Sequence, residues 1–294
     1  MGRAYLAISI VTLFWAGNFT AGKIATAELD PHFIAAVRVF LTASVFYLLL
    51  PRSERRLKRS DWKAILPLSI SGVALNQVLF AMGIQLTTPS HSAVVHALMP
   101  AIVAVMAWVM IRERLGPAAI GGLAVAVAGA LWVVLGVSRE EVRGTLLGDG
   151  LTFAGILAFS YYMVQGRRTL EKMGSFRAVT FAFVLGAPLL APSLVYGILR
   201  TDWSRVTWKG WAALGYMFLF ANLVCYRLHI FSLSRLKAGQ VAVFSDFQPA
   251  LGIAIAVLAG EDRLSPALLA GASVALAGIV LVQLCPGAGR ETAT

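Results

Sequence analysis

Charged side chains are what this sequence has least of. Asp, Glu, Lys and Arg make up 13% of its 294 residues, about half the share found in soluble domains. Such a chain cannot cover a water-facing surface, which excludes a soluble globular protein and leaves a bilayer as its solvent. Carboxylates are scarcer still, 14 against 25 Lys and Arg, for a net charge of +11. That excess does not make a nucleic-acid site. It sits in short runs between apolar segments, such as 52–63, where it acts as a topology signal. The two cysteines, Cys225 and Cys285, are too few for a disulfide framework and have no metal-ligand spacing. His91 and His96 are five apart, off a common helix face, so no metal site is expected. Gly-x-Ser-x-Gly, His-Glu-x-x-His and Gly-x4-Gly-Lys-Ser/Thr are all missing, which removes the sequence grounds for an enzyme or for direct ATP drive. No cofactor is implied.

Hydrophobic residues, by contrast, make up 59% of the chain, and the mean hydropathy is +0.78. A membrane helix takes about 20 mostly apolar residues. Ten segments qualify: 5–25, 33–50, 64–86, 92–111, 118–137, 146–164, 176–199, 211–233, 238–259 and 266–284. They are too long for strands and lack period-2 alternation. The expected fold is an all-α membrane protein of ten transmembrane helices with short connections. The first segment has some marks of a signal peptide, with Arg3 ahead of an apolar run and Ala25-Thr26-Ala27 behind it. The run is long for a signal core, however, and it has a counterpart later in the chain.

The chain is written twice. Pro100, Arg114, Leu115, Pro117, Gly122 and Gly129 recur as Pro249, Arg263, Leu264, Pro266, Gly271 and Gly278, every pair 149 residues apart. Prolines and glycines fix backbone geometry, so one register across four of them marks an internal repeat. Upstream, Phe14-Trp15 and Lys23 match Ala158-Phe159 and Arg167 at a spacing of 144. The halves are 1–137 and 138–294. Each holds five helices, an odd number, so the second enters the membrane from the opposite face. Inverted repeats of this kind characterise secondary transporters. With ten helices both termini share a side. That side carries 16 of the Lys and Arg residues against seven on the other, so the termini are expected in the cytoplasm.

These features resemble the paired EamA modules of the drug/metabolite transporter superfamily. The marks are Leu13-Phe14-Trp15-Ala16-Gly17-Asn18-Phe19, Arg38, the mid-helix Pro100 and Pro249, and the turns containing Glu113 and Glu261. The resemblance covers 5–284. It implies an inner-membrane exporter of small metabolites, often amino acids, and the nearest group is the YddG-like exporters of aromatic amino acids. The family has Gly-Glu after its fourth and ninth helices. Here the second half has Gly260-Glu261 but the first has Arg112-Glu113, so a different turn is expected there.

Polar groups in hydrocarbon face a cavity or a partner. Asn18, Gln77, Gln165, Asn222, His91, His96, His229, Asp246 and Gln248 are such groups, with Trp15, Phe80, Tyr161, Tyr162 and Tyr226 as aromatic candidates. Gln77 and Phe80, and Tyr226 and His229, are i,i+3 pairs on one helix face and repeat equivalents 149 apart. Either they line a shared cavity or they glue helices together. The substrate-binding set is taken as Trp15, Asn18, Gln77, Phe80, His96, Tyr161, Tyr226 and His229. Pro100 and Pro249 are candidate kinks, or prolines kept for packing. Asp246 reads as the only carboxylate well inside an apolar segment. It either pairs with Arg227 across the turn 234–237 or faces the cavity alone and serves proton coupling, with Arg227 reaching for the surface. Small residues four apart, Ala118, Gly122 and Ala126 with Ala267, Gly271 and Ala275, are read as helix packing. The partners implied are a small-molecule substrate such as an amino acid, membrane lipid and a coupled proton, with no nucleic acid. A channel or lipid scramblase on the same scaffold, or an intramembrane enzyme, is the alternative.

Overall fold

Several helices start where a short polar residue caps the first turn. Asp30 accepts from the His32 amide ahead of α2, Thr88 from His91 ahead of α4, and Thr207 from Lys209 ahead of α9. In the first two, proline follows the cap, where its missing N–H costs nothing. The structure is a computed structural model that describes residues 2–112, 116–135, 142–236 and 238–284. Its helices are α1 Gly2–Glu28, α2 Pro31–Leu49, α3 Arg59–Leu86, α4 Pro89–Ile111, α5 Pro117–Leu135 and α6 Val142–Met173. They continue with α7 Ser175–Leu189, α8 Ala191–Arg200, α9 Trp208–Leu233, α10 Ala238–Leu258 and α11 Pro266–Leu284. Among the described residues there is no strand. Six helices are long and apolar enough to cross a membrane, α1, α2, α3, α4, α6 and α9, and α7 with α8 make a seventh as one bent span. Apolar stretches of α5, α10 and α11 are shorter.

The segment expected as one helix over 176–199 is broken at Leu190 by 56°. Pro188 and Pro192 flank the break, and each removes a backbone donor from the ladder. α4 is interrupted at Leu98. Pro100 cannot donate to the His96 carbonyl, and the Leu98 amide closes a tighter turn on the Val95 carbonyl at 3.1 Å. α10 continues through Pro249. The two prolines therefore differ in local effect, although they are repeat equivalents.

Arg112, which closes α4, adopts φ 56°, ψ 30°, and Gly260 adopts φ 76°. Both are left-handed, so Arg112 takes the conformation that glycine takes in the second half and bears its strain. Residues 113–115 of the turn, where a different course is expected, lie outside the described residues.

α5 and α11 pack antiparallel through glycine. A Cβ on Gly129 would fall on the backbone of Gly271 and Ala275, and one on Gly278 on the backbone of Gly122 and Ala126. Adding 149 to Gly129, Gly122 and Ala126 gives Gly278, Gly271 and Ala275, so each contact is the image of the other. α3 and α6 meet backbone to backbone at Gly83 and Gly148. The repeat offsets carry that pair onto Ser232 and Ala4, where the Ser232 hydroxyl donates to the Ala4 carbonyl at 3.3 Å. α1 lies between α9 and α10, with Cys225 buried against Val11 and Thr12 reaching the Phe244 carbonyl.

Candidate functional site

Two π-helical stretches position the site. Ser69–Leu75 interrupts α3 and Met217–Val224 interrupts α9. Shifted by 149, the first falls on 218–224, inside the second. A π turn inserts a residue, loosens the carbonyl ladder and recurs at functional sites. In α9 the freed geometry is used at once: the Trp15 indole Nε1 donates to the Ala221 carbonyl at 2.9 Å. In α3, Gly72 lies beneath Tyr162, whose ring would be struck by any Cβ there.

Arg38, on α2, enters beside the second π stretch. It is 2% exposed. Its Nη2 donates to Asn222 Oδ1 at 2.8 Å, and Asn222 Nδ2 donates to Thr42 Oγ1 at 3.1 Å. Its Nε and Nη1 have no hydrogen-bond partner among the described residues. Tyr226 follows Asn222 by one helical turn on α9. The Tyr226 ring lies 6.3 Å from Trp15, 6.4 Å from Phe46 and 5.3 Å from Phe183. His229 lies 5.2 Å from Trp15.

One turn on from Trp15, Phe19 opens a second group. Its ring lies 6.2 Å from Phe80 and 4.9 Å from His96, and those two are 5.7 Å apart. His96 Nδ1 donates to the Ser92 carbonyl at 2.9 Å. α1 thus carries two aromatic rungs, one on α9 and one on α3 and α4. The structure brings Trp15, Tyr226 and His229 together, and Phe80 with His96. Gln77 is buried on α3. Asn18 is half-buried, its Oδ1 without a partner among the described residues. Tyr161 is half-buried, while its neighbour Tyr162 packs over Gly72 and stacks on Phe159 at 5.5 Å. Gln165 is exposed on the extension of α6 toward Met173.

The side chain of Asp246 lies outside the described residues, and with it the Asp246–Arg227 pair. Arg227 is exposed, with its guanidinium 4.4 Å from the centroid of Phe176. A carboxylate near the start of another apolar segment is buried. Asp149 on α6 is 4% exposed, accepts from Thr87 Oγ1 and lies 3.1 Å from His91 Nδ1. It belongs to a polar belt at the end of the bundle away from Gly2. There Lys23 donates to the carbonyls of Ile84, Gln85 and Thr87 at 3.4, 3.0 and 2.7 Å. Glu28 accepts from the Thr207 amide and hydroxyl at 2.8 and 2.7 Å and from the Gly210 amide at 3.2 Å. The Ser90 amide donates to Asp262 at 3.1 Å. The belt ties α1 to α3 and α9, and α4 to α6 and to the connection before α11. No group of three or more His, Cys, Asp or Glu side chains suited to a metal ion occurs among the described residues.

Sequence reasoning left Arg38, Phe19 and Asn222 outside the binding set and missed Asp149. A lone Arg between apolar residues was a usable signal for Arg38. Nothing in the residue pattern announces the π turns.

The sequence profile of the EamA-like transporter family matches residues 2–135 and 146–284. An uncharacterized transporter of Archaeoglobus fulgidus is 24% identical over 95% of this chain and 96% of its own length. The uncharacterized transporter YyaM of Bacillus subtilis is 23% identical over 87% of this chain and 86% of its own. An S-adenosylmethionine/S-adenosylhomocysteine transporter of Chlamydia trachomatis serovar L2 is 26% identical over 76% of this chain and 72% of its own. A solved crystal structure shares the fold, with a TM-score of 0.69 at 20% identity, covering 97% of this chain and 98% of that one.

Proposed function

The chain belongs to the EamA-like transporter family of the drug/metabolite transporter superfamily, and on that premise we propose that it is a secondary active exporter of small amphipathic metabolites, amino acids including aromatic ones among them. It spans the inner membrane ten times, with α7 and α8 as one span and both termini in the cytoplasm. Its halves, 1–137 and 138–294, are inverted five-helix repeats. The observation that carries this reading is the reciprocal glycine contact of α5 and α11. Two antiparallel helices whose contacts exchange under the repeat offset are related by a two-fold axis perpendicular to both, and for membrane-spanning helices that axis lies in the membrane plane. Halves so related can exchange conformations, which is the structural basis of alternating access.

The solute site is the ground between the two aromatic rungs of α1. Trp15, Phe19, Phe80, His96, Tyr226 and His229 offer apolar faces, with Asn18, Gln77 and Arg38 as polar groups. The paired π stretches are where α3 and α9 change pitch when the halves exchange roles. The belt around Lys23, Glu28 and Asp149 closes the periplasmic end. S-adenosylmethionine, named for one relative, is itself an amino acid with a planar base, and such a solute suits the same mix of groups.

Reconstitution tests the function. Proteoliposomes are given a panel of labelled amino acids and S-adenosylmethionine, with and without a pH gradient. The proposal expects saturable, protein-dependent flux of at least one of them, and proton coupling expects the gradient to drive it. Flux no greater than in protein-free vesicles across the panel contradicts it.

A further inference from the structure

We infer that Arg38 is the residue that binds the anionic group of the solute, and that this group is a carboxylate. The inference deepens the transport reading and rests on it. Arg38 stands seven residues into α2, about 10 Å along the helix from Pro31. A guanidinium at that depth is deprotonated by no ordinary environment and is costly in hydrocarbon unless paired. Its one described hydrogen bond goes to a neutral amide, Asn222, which cancels no charge. Nε and Nη1 are buried and unpartnered among the described residues. A charge held by a positioned amide, with free donors on a planar fork, is built to receive a second planar group. Carboxylate is the match, since the fork and the two oxygens form parallel charge-assisted bonds.

The surroundings favour a particular body on that carboxylate. Tyr226 stands one turn from Asn222 and sits among Trp15, Phe46 and Phe183. The wall beside Arg38 is therefore aromatic, and a carboxylate with an apolar or aromatic side chain fits it. The Asn222–Thr42 bond holds the amide oxygen toward Arg38, so Arg38 is oriented before the solute arrives. Arg38 lies in the first half and Asn222 in the second. A solute bridging Arg38 and the α9 face would bind differently in the two states, which is what lets it shift their populations.

The test is binding with matched pairs. Purified protein in detergent is heated with aromatic and aliphatic L-amino acids, each beside its own carboxamide, and the unfolding temperature is read. The inference expects at least one acid to raise it while the corresponding amide does not. Arg38→Gln should abolish the difference and Arg38→Lys should keep part of it. Asn222→Ala removes the amide that orients Arg38 but not the charge, so it should lower stability and weaken the preference for the acid without abolishing it. If no acid stabilises more than its amide, or if Arg38→Gln retains the full shift, the inference fails. If Asn222→Ala erases the preference as fully as Arg38→Gln does, Arg38 only ties α2 to α9 and the inference fails too. The wild-type comparison stands even if a variant does not fold. Acid-selective binding without flux in vesicles would sink the transport reading alone, and flux without acid preference would sink the role of Arg38 alone.

Discussion

Gly278 of α11 rests on the main chain of Ala126 of α5, so closely that a methyl group in its place would meet the Ala126 amide nitrogen. Lipid-facing helices gain nothing from burying apolar surface against each other, so close backbone approach supplies the attraction. Gly278→Val should therefore lower stability by about 1–3 kcal/mol, the usual cost of forcing extra methyl groups into a packed contact. Gly129→Val, its image, should cost a similar amount. Thermal unfolding in detergent reads both, and an unchanged midpoint in either would show that the reciprocal contact does not form.

Arg112 holds a left-handed conformation that costs a non-glycine residue roughly 1–2 kcal/mol. Arg112→Gly should relieve part of that strain and raise the unfolding midpoint, whereas Arg112→Ala should leave it near the wild type. A glycine variant no more stable than the alanine variant contradicts a left-handed turn at this position.

Glu28 gathers three donors from Thr207 and Gly210 and so joins the end of α1 to the start of α9. Glu28→Ala should loosen that end. In a background without Cys225 and Cys285, a cysteine replacing the fully buried Ile84 should then react faster with an impermeant thiol reagent. Equal reaction rates with and without Glu28 would mean that the belt is not a closure.

How much of this was legible beforehand depended on what leaves a mark in residue order. The repeat was legible because Pro100, Gly122 and Gly129 recur at one offset, and each has a geometric reason to be that residue. The aromatic candidates were legible through i,i+3 spacing, and Trp15, Tyr226 and His229 do meet. The π stretches were not, because one inserted residue within a uniformly apolar helix changes neither its length nor its composition in a way the residue order marks. Asp149 was missed because it stands near the start of its segment, where a carboxylate reads as a loop charge. Its partners, Thr87 and His91, lie about 60 residues away in the chain.

Topology has a separate check. Ser53 and Ser204 are both exposed in connections, on opposite sides of the membrane in the proposed arrangement. In intact cells, a cysteine at 204 should react with an impermeant reagent and one at 53 should not. Equal labelling, or the reverse order, overturns the cytoplasmic placement of the termini.

Alternating access itself is tested most directly by counterflow. Proteoliposomes are preloaded with an unlabelled solute that the protein moves, then diluted into a trace of the same solute carrying a label. A carrier whose site faces one side at a time exchanges label for internal solute, so preloaded vesicles should transiently accumulate the label above the outside concentration, and empty vesicles should not. Label that merely equilibrates at the same rate in loaded and empty vesicles would identify an open pathway and contradict the account.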